Sequence, residues 1–189
     1  MIEKPERSLP LIRERRLRRP GELFEVEQLD LEFSNGARRT YERMRSRGLG
    51  AVIIVPMRDE KTVLLVREYA AGLHQYEIGL PKGRLEPGES VLEGAQRELK
   101  EEIGYGAREL TELTRLSLAP GYMTHITRVV LARDLYPEKL PGDEPEELEV
   151  VPWPIDDLLT ITSRDDCTEG RTIAALYIAR DYLAAEKTA

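Results

Sequence analysis

The stretch from Gly83 to Tyr105, GRLEPGESVLEGAQRELKEEIGY, constrains this chain more than any other. Pro87-Gly88 is a turn pair, and Ser90 followed three residues later by Glu93 has the form of a capping box, so the spacing predicts a loop entering a helix at Val91. Gly104 is its natural stop. At about 100° per residue, Val91, Leu92, Ala95, Leu99 and Ile103 share one arc of roughly 120°, an ordinary core-facing stripe. Glu93, Arg97 and Lys100 lie opposite, where water solvates them.

Glu98 and Glu102 are i and i+4, neighbours on the helix surface, at the margin of the apolar arc rather than opposite it. Two like charges beside a core repel and lose hydration, and Glu101 adds to the excess. In a plain charged helix, ion pairs would serve them, and Arg97 and Lys100 suit Glu101 in that role. From the far side they do not easily reach Glu98 and Glu102. A hard divalent cation with oxygen ligands is the economical compensation, because its charge cancels the repulsion and keeps the carboxylates ionised.

Gly83, five residues, Glu89, seven residues, Arg97-Glu98-Leu99, one residue, Glu101-Glu102, one residue, Gly104 resembles the signature of the Nudix hydrolases. Every fixed position is matched, and only Tyr105 stands where an aliphatic is usual. The resemblance implies an α+β Nudix fold, an α/β/α sandwich with a mixed central sheet and a catalytic loop–helix–loop. It also implies Mg²⁺ or Mn²⁺ as cofactor and hydrolysis of nucleoside diphosphates linked to another group. Carried onto this chain, it makes Glu98 and Glu102 metal ligands, Glu101 a ligand or a water-orienting carboxylate, and the carbonyl of Lys82 a further ligand. Glu89 and Arg97 would pair to brace the loop against the helix.

The rest of the chain bounds this reading. At 189 residues it suits one main domain with an appendage, and its net charge of −7 argues against a general nucleic-acid binder. An anionic substrate would then need cations as intermediaries, in agreement with the carboxylate cluster. The single cysteine, Cys167, permits no intramolecular disulfide and suits a reducing compartment; no run has membrane-spanning length, and the N-terminus has no apolar signal core, so a cytoplasmic protein is expected.

Residues 1–47 read as an appendage. The five arginines between Leu11 and Arg19 are taken as a solvated face, Leu23 to Phe33 alternates as a strand, and Asn35-Gly36 is a hairpin turn into Arg38 to Arg43. So small a β unit needs something to pack on, and by resemblance to ADP-ribose pyrophosphatases it would contribute to a homodimer. Residues 48–189 form the main domain. Gly50 to Pro56 and Thr62 to Val66 are β-branched runs around the turn-like Arg58 to Lys61 and read as paired, buried strands. Tyr76 to Leu80 reads as a strand delivering Pro81-Lys82-Gly83 to the box. Leu110 to Leu118 and Ile126 to Ala132 read as two more strands. Pro154 to Leu159 reads as a short helix, and Thr168 to Glu186 as a packing helix.

Substrate contacts are sought at strand ends and in loops. Arg67-Glu68-Tyr69 ends the second main-domain strand and faces either a ligand or only its edge. Glu77 alternates with Tyr76 and Ile78 and, by resemblance, points into the site. Lys82 replaces a small residue usual before the box glycine, so its side chain could reach a phosphate. Pro120 resembles the mark of ADP-ribose pyrophosphatases and Tyr122 that of dinucleoside polyphosphate hydrolases; a plain turn explains both equally well. Leu135 to Glu149 is Pro-rich, Gly-containing and acidic, hence a loop, of a kind that carries mobile catalytic groups. By resemblance a glutamate there assists the attacking water, with Glu146 the first choice and Glu144 the reserve.

In layout the chain resembles the bacterial ADP-compounds hydrolases within that family, acting on ADP-ribose, diadenosine triphosphate and NADH and giving AMP plus a second phosphorylated product. Two alternatives stay open: a preference for dinucleoside polyphosphates or NADH, and a non-catalytic module that senses ADP-ribose. The intact set of box carboxylates disfavours the second.

Overall fold

The computed structural model describes residues 11–20, 24–46 and 48–188. Leu23, expected to open a strand, and the side chains of Arg18, Arg19 and Phe24 lie outside the described residues. The chain divides into two compact units, Met1–Arg47 with Ala119–His125, and Gly48–Leu118 with Ile126–Ala189.

The first unit is an antiparallel sheet of β1 (Leu11–Pro20), β2 (Phe24–Glu32) and β3 (Arg38–Ser46), in that spatial order. It has three strands rather than the expected hairpin, because the arginine-rich run is itself a strand. Cross-strand pairs satisfy its charges: Arg13 meets Glu32 at 3.0 Å and Arg16 meets Asp30 at 2.7 Å. The turn behaves as Asn-Gly should. Gly36 takes φ +78°, and the Asn35 side chain accepts from the amide of Ala37. The segment Ala119–His125 belongs to this unit: Met44 donates its amide to the Tyr122 carbonyl at 2.7 Å, and Thr124 returns a bond to Met44.

The second unit contains two sheets. One is mixed, in the order β7 (Lys82–Arg84), β4 (Ala51–Pro56), β9 (Ile126–Pro137), β8 (Tyr105–Ser117); the other is antiparallel, in the order β10 (Glu149–Pro154), β5 (Thr62–Ala70), β6 (Gln75–Gly79). The runs at 51–56 and 62–66, expected to pair, go to different sheets; their backbones are bridged at Met57–Val63, just past the first run, and otherwise they meet through side-chain packing. Both edges of β4 are already taken, by β9 in parallel and β7 antiparallel, while β5 lies between β10 and β6. The turn that joins them does not make them ladder partners.

Burial on both faces explains why the β4 sequence is an unbroken apolar run. Val52 and Ile54 pack with Leu64 and Val66 of β5 and with Ala95, Leu99 and Ile103 of α1 (Val91–Glu102). Ile53 and Val55 face the other way, toward α2 (Leu158–Thr162) and α3 (Gly170–Glu186), among Leu158, Ile161, Leu176 and Ala179. Helix, sheets and helix form the expected α/β/α layers. Pro154 ends β10 instead of opening a helix, and α2 starts four residues later.

The helix α1 begins at Val91 with the capping box complete, Ser90 accepting from the Glu93 amide and Glu93 from that of Ser90. Its buried face differs from the expected stripe. Leu92 is 40% exposed, and Gly94, Ala95, Glu98 and Leu99 are buried. Gly94 permits this rotation, since a Cβ there would stand 2.5 Å from Leu85 and 2.9 Å from the Glu89 carboxylate. The helix leans on its own entry loop, and Glu98 turns inward.

Candidate active site: an acidic cleft between a helix and a loop

Strand β7 carries Gly83 directly beneath α1. A Cβ on Gly83 would lie 1.9 Å from Glu98 Oε1 and 2.0 Å from its Cδ, so the carboxylate of Glu98 occupies the space that any other residue at 83 would fill. Glu98 is 8% exposed, and burial pushes its pKa upward against the pull of Arg97.

Arg97 does not remain on the solvated side of the helix. Its guanidinium donates to Glu89 at 2.9 and 3.1 Å, to the Arg84 carbonyl at 2.9 Å, and through Nη1 to Glu98 and Glu101, each at 2.8 Å. Five donors on a long stem let one residue brace loop, strand and helix together. Lys100, expected near Glu101, pairs with Glu138 instead.

Glu102 lies at the opposite end of the carboxylate row. Burial first, and then the charges of Glu98 and Glu68 against the opposing Lys82, push its pKa up to about 8. Its Oε2 accepts from the backbone amide of Lys82 at 3.2 Å, and the Lys82 ammonium reaches Glu68 at 2.5 Å. Two cations, Arg97 and Lys82, thus meet a larger number of carboxylates.

Glu98, Glu101 and Glu102 form one wall of a cleft of about 240 Å³, whose other wall is Lys139 and residues 142–148. Both candidate loop glutamates therefore come to the box. They face different ways. Glu146 accepts from the Tyr76 hydroxyl at 2.6 Å, while Glu144 feels Glu68, Asp143 and Lys82, with partial desolvation raising its pKa. A larger recess of about 440 Å³ beside Met57 and Leu183 has Arg58 paired with Asp59, and Arg133 with Glu109 and Glu186. Charge, not volume, distinguishes the candidate cleft.

Among the described residues no three acidic, histidine or cysteine side chains are grouped closely enough to hold a metal ion as they stand. The chemistry of the donors still suits a hard divalent ion: partly desolvated carboxylate oxygens that outnumber Arg97, Lys82 and Lys139, with Glu98 seated in a cradle only glycine leaves open.

The remaining candidates do not line this cleft. Arg67 is held by Glu149 at 3.0 Å and Asp166 at 2.9 Å. Glu77 is buried and accepts from the amide and hydroxyl of Thr168. Tyr69 shares a 2.5 Å hydrogen bond with His74 Nδ1 and packs edge-on against Tyr76. Pro120 and Tyr122 belong to the first unit.

The sequence groups Glu68 with Arg67 and Tyr69 as a strand end that faces either a ligand or only the strand edge, and the structure brings it to Lys82, just before the box. Its signal was the alternation Leu64, Val66, Glu68, which puts it on the face of β5 that meets α1. Glu93, by contrast, is exposed and only caps. Glu93→Gln is expected to leave kcat within about twofold and the melting temperature little changed, measurable by steady-state assay and thermal melting.

Three comparisons bear on this geometry. Residues 48–170 match the NUDIX domain, and residues 10–43 match the N-terminal domain of NudE-type Nudix hydrolases. The chain is 52% identical over 161 residues to the ADP compounds hydrolase NudE of Escherichia coli K12, covering 85% of this chain and 86% of that one. It is 31% identical over 158 residues to an ADP-ribose pyrophosphatase of Bacillus subtilis, covering 82% and 84%. A crystal structure of an ADP compounds hydrolase superposes with a TM-score of 0.88 at 46% identity, covering 97% of this chain and 98% of that one.

Proposed function

This chain belongs to the NUDIX family and is a hydrolase, and from that premise we propose that it cleaves the pyrophosphate bond of ADP-linked compounds to AMP and a second phosphorylated product. The substrate class comes from the names of its relatives, an ADP compounds hydrolase and an ADP-ribose pyrophosphatase. The observation that carries the chemistry is the cleft that sets the box carboxylates opposite those of loop 142–148.

Glu98, Glu101 and Glu102 would hold Mg²⁺, or Mn²⁺ in its place. When bound, the ion supplies phosphate charge neutralisation and acidifies a coordinated water. The chain's own groups do the rest. Arg97 fixes the relative positions of Glu89, Glu98 and Glu101, and the Lys82 ammonium offers positive charge to a phosphate. Attack forms a bond from water oxygen to phosphorus and breaks the bridging P–O bond; the water's proton passes to a carboxylate. Glu144, in the cleft wall, would receive it; burial, with Glu68 and Asp143 nearby, raises its pKa, which supports a role in holding a proton.

Glu144→Gln is therefore expected to lower kcat by about tenfold, less than full loss of a base because Glu101 shares the proton. An unchanged kcat would remove Glu144 from the mechanism. ADP-ribose, NADH and diadenosine triphosphate, each assayed with Mg²⁺ or Mn²⁺ in labelled water, test the reading and identify the phosphorus attacked. Turnover of none of the three would overturn it, and a large excess on diadenosine triphosphate would move the preference to dinucleoside polyphosphates.

The same reading makes 1–47 a dimerisation unit and the protein a cytoplasmic homodimer. It is supported by the separate β1–β3 sheet and by the match of 10–43 to a dedicated N-terminal domain. Light scattering of the purified chain would decide the oligomeric state. Among the described residues no helix is long and apolar enough to cross a membrane.

A further inference from the structure

The loop between β9 and β10 has a charge problem. Its middle carries Asp143, Glu144, Glu146 and Glu147, and it closes a cleft whose opposite wall is Glu98, Glu101 and Glu102. Like charges on both walls favour opening, and the loop's own cation, Lys139, is paired with Glu147, which leaves Asp143, Glu144 and Glu146 in excess. The flanks are anchored well: the amide of Glu138 donates to Gly104 O at 3.0 Å, that of Leu140 to Lys100 O at 3.1 Å, and Leu148 is buried in the core. Those anchors lie outside the acidic middle.

The middle is held from outside the loop by a neutral donor. Tyr76, on the sixth strand and 70 residues away in sequence, donates its hydroxyl to Glu146 Oε1 at 2.6 Å. Its ring is itself fixed, packed edge-on against Tyr69 with centroids 5.7 Å apart, and Tyr69 is tied to His74. A hydroxyl can hold a carboxylate without adding the positive charge that would compete for the cleft's other acids.

We propose that Tyr76 is a positioning residue: by tethering Glu146 it holds the acidic loop closed over the box, so that Glu146 serves as the tether and Glu144 is the loop glutamate presented to the reaction. This rests on the reading of the loop as part of the catalytic centre. It reverses the order in which the sequence ranked the two glutamates. The reason is geometric: both glutamates line the cleft, and Glu146 is the one engaged by the Tyr76 hydroxyl.

The test compares Tyr76→Phe, Glu146→Ala, Glu146→Gln and the double variant Tyr76→Phe/Glu146→Ala in the full chain. Tyr76 is 48% exposed and Phe keeps its ring contacts, so melting temperatures should match the parent. Two readouts are taken: kcat and KM on ADP-ribose, and the rate at which a glutamate-specific protease cuts after Glu147, the loop site that every variant keeps, with products identified by mass spectrometry. Loss of a hydrogen bond to a charged group predicts that Tyr76→Phe lowers kcat roughly three- to tenfold at little-changed KM and raises loop cleavage by a similar factor. Glu146→Gln, which keeps an oxygen acceptor, should restore most of what Glu146→Ala loses. The double variant should be no worse than the poorer single one, because both break the same bond.

Parental kcat or parental cleavage in Tyr76→Phe, losses that multiply in the double variant, or Glu146→Gln as poor as Glu146→Ala would each overturn the proposal. If the parent turns over no ADP-linked substrate, the functional reading fails, and the protease readout still decides whether Tyr76 holds the loop.

Discussion

Glu102→Gln is expected to lower kcat by at least ~10²-fold, the scale of removing one major electrostatic contributor, while the fold survives. The same substitution should raise stability in a chelating buffer. Burial pushes the folded pKa of Glu102 to about 8, well above that of an unfolded glutamate, so the folded protein prefers this group protonated. The stability tied to that proton is fully present below the unfolded pKa and is lost as pH rises through the folded one. At pH 8 and above the parent carries the cost of an ionised, desolvated carboxylate beside Glu98 and Glu68, and the glutamine variant does not. Its melting temperature in chelator should therefore exceed the parent's by a few degrees, about 2–4 °C per kcal/mol for a chain of this size, and the gap should narrow toward pH 5. Added Mg²⁺ should stabilise the parent and not the variant. A kcat within a few fold of the parent, or an undiminished Mg²⁺ shift, would sink the ligand assignment.

Gly83→Ala separates activity from stability in a different way. The added methyl would sit 1.9 to 2.2 Å from the carboxylate atoms of Glu98, a distance no pair of atoms tolerates. What stands in its way is the end of a flexible side chain rather than backbone, so Glu98 swings aside and the sheet stays as it is. Gly83 does not adopt a left-handed backbone conformation that alanine would strain. Displacing one ligand of a positioned set by an ångström or more is expected to lower kcat by about 10²-fold. The melting temperature should fall little or not at all. Gly94→Ala is the useful control, because its Cβ would meet Leu85 and Glu89 on the loop and disturb the brace rather than Glu98 directly. Retained activity in Gly83→Ala would mean that Glu98 needs no fixed seat, and that the glycine is there for another reason.

The two experiments probe features of different legibility. The row of glutamates was readable because helical spacing puts Glu98 and Glu102 together wherever the helix lies. Glu98's seat on Gly83 was not, since it depends on β7 passing under α1. The wheel placed Glu98 at the margin of the apolar stripe and Leu92 inside it, and packing reversed the two once Gly94 allowed Leu85 and Glu89 to approach. Arg97 likewise sits opposite the stripe on a wheel, yet its length carries the guanidinium back over Glu98 and Glu101. A wheel records where a side chain starts, not where a long one ends.

The sequence by itself determined the loop, its capping box, the helix start at Val91, the Asn35-Gly36 turn, the acidic loop and the cluster of carboxylates. Each follows from residues within a few positions of one another, where backbone sterics and hydrogen-bond reach decide the outcome. Tertiary structure alone decided that β4 and β5 enter different sheets, that Glu68 meets Lys82, that the segment at 119–125 joins the first unit, and that Glu146 reaches Tyr76. These depend on partners brought together from distant parts of the chain, and the choice among such partners is made by packing and electrostatics in the folded state, for which local spacing carries no signal.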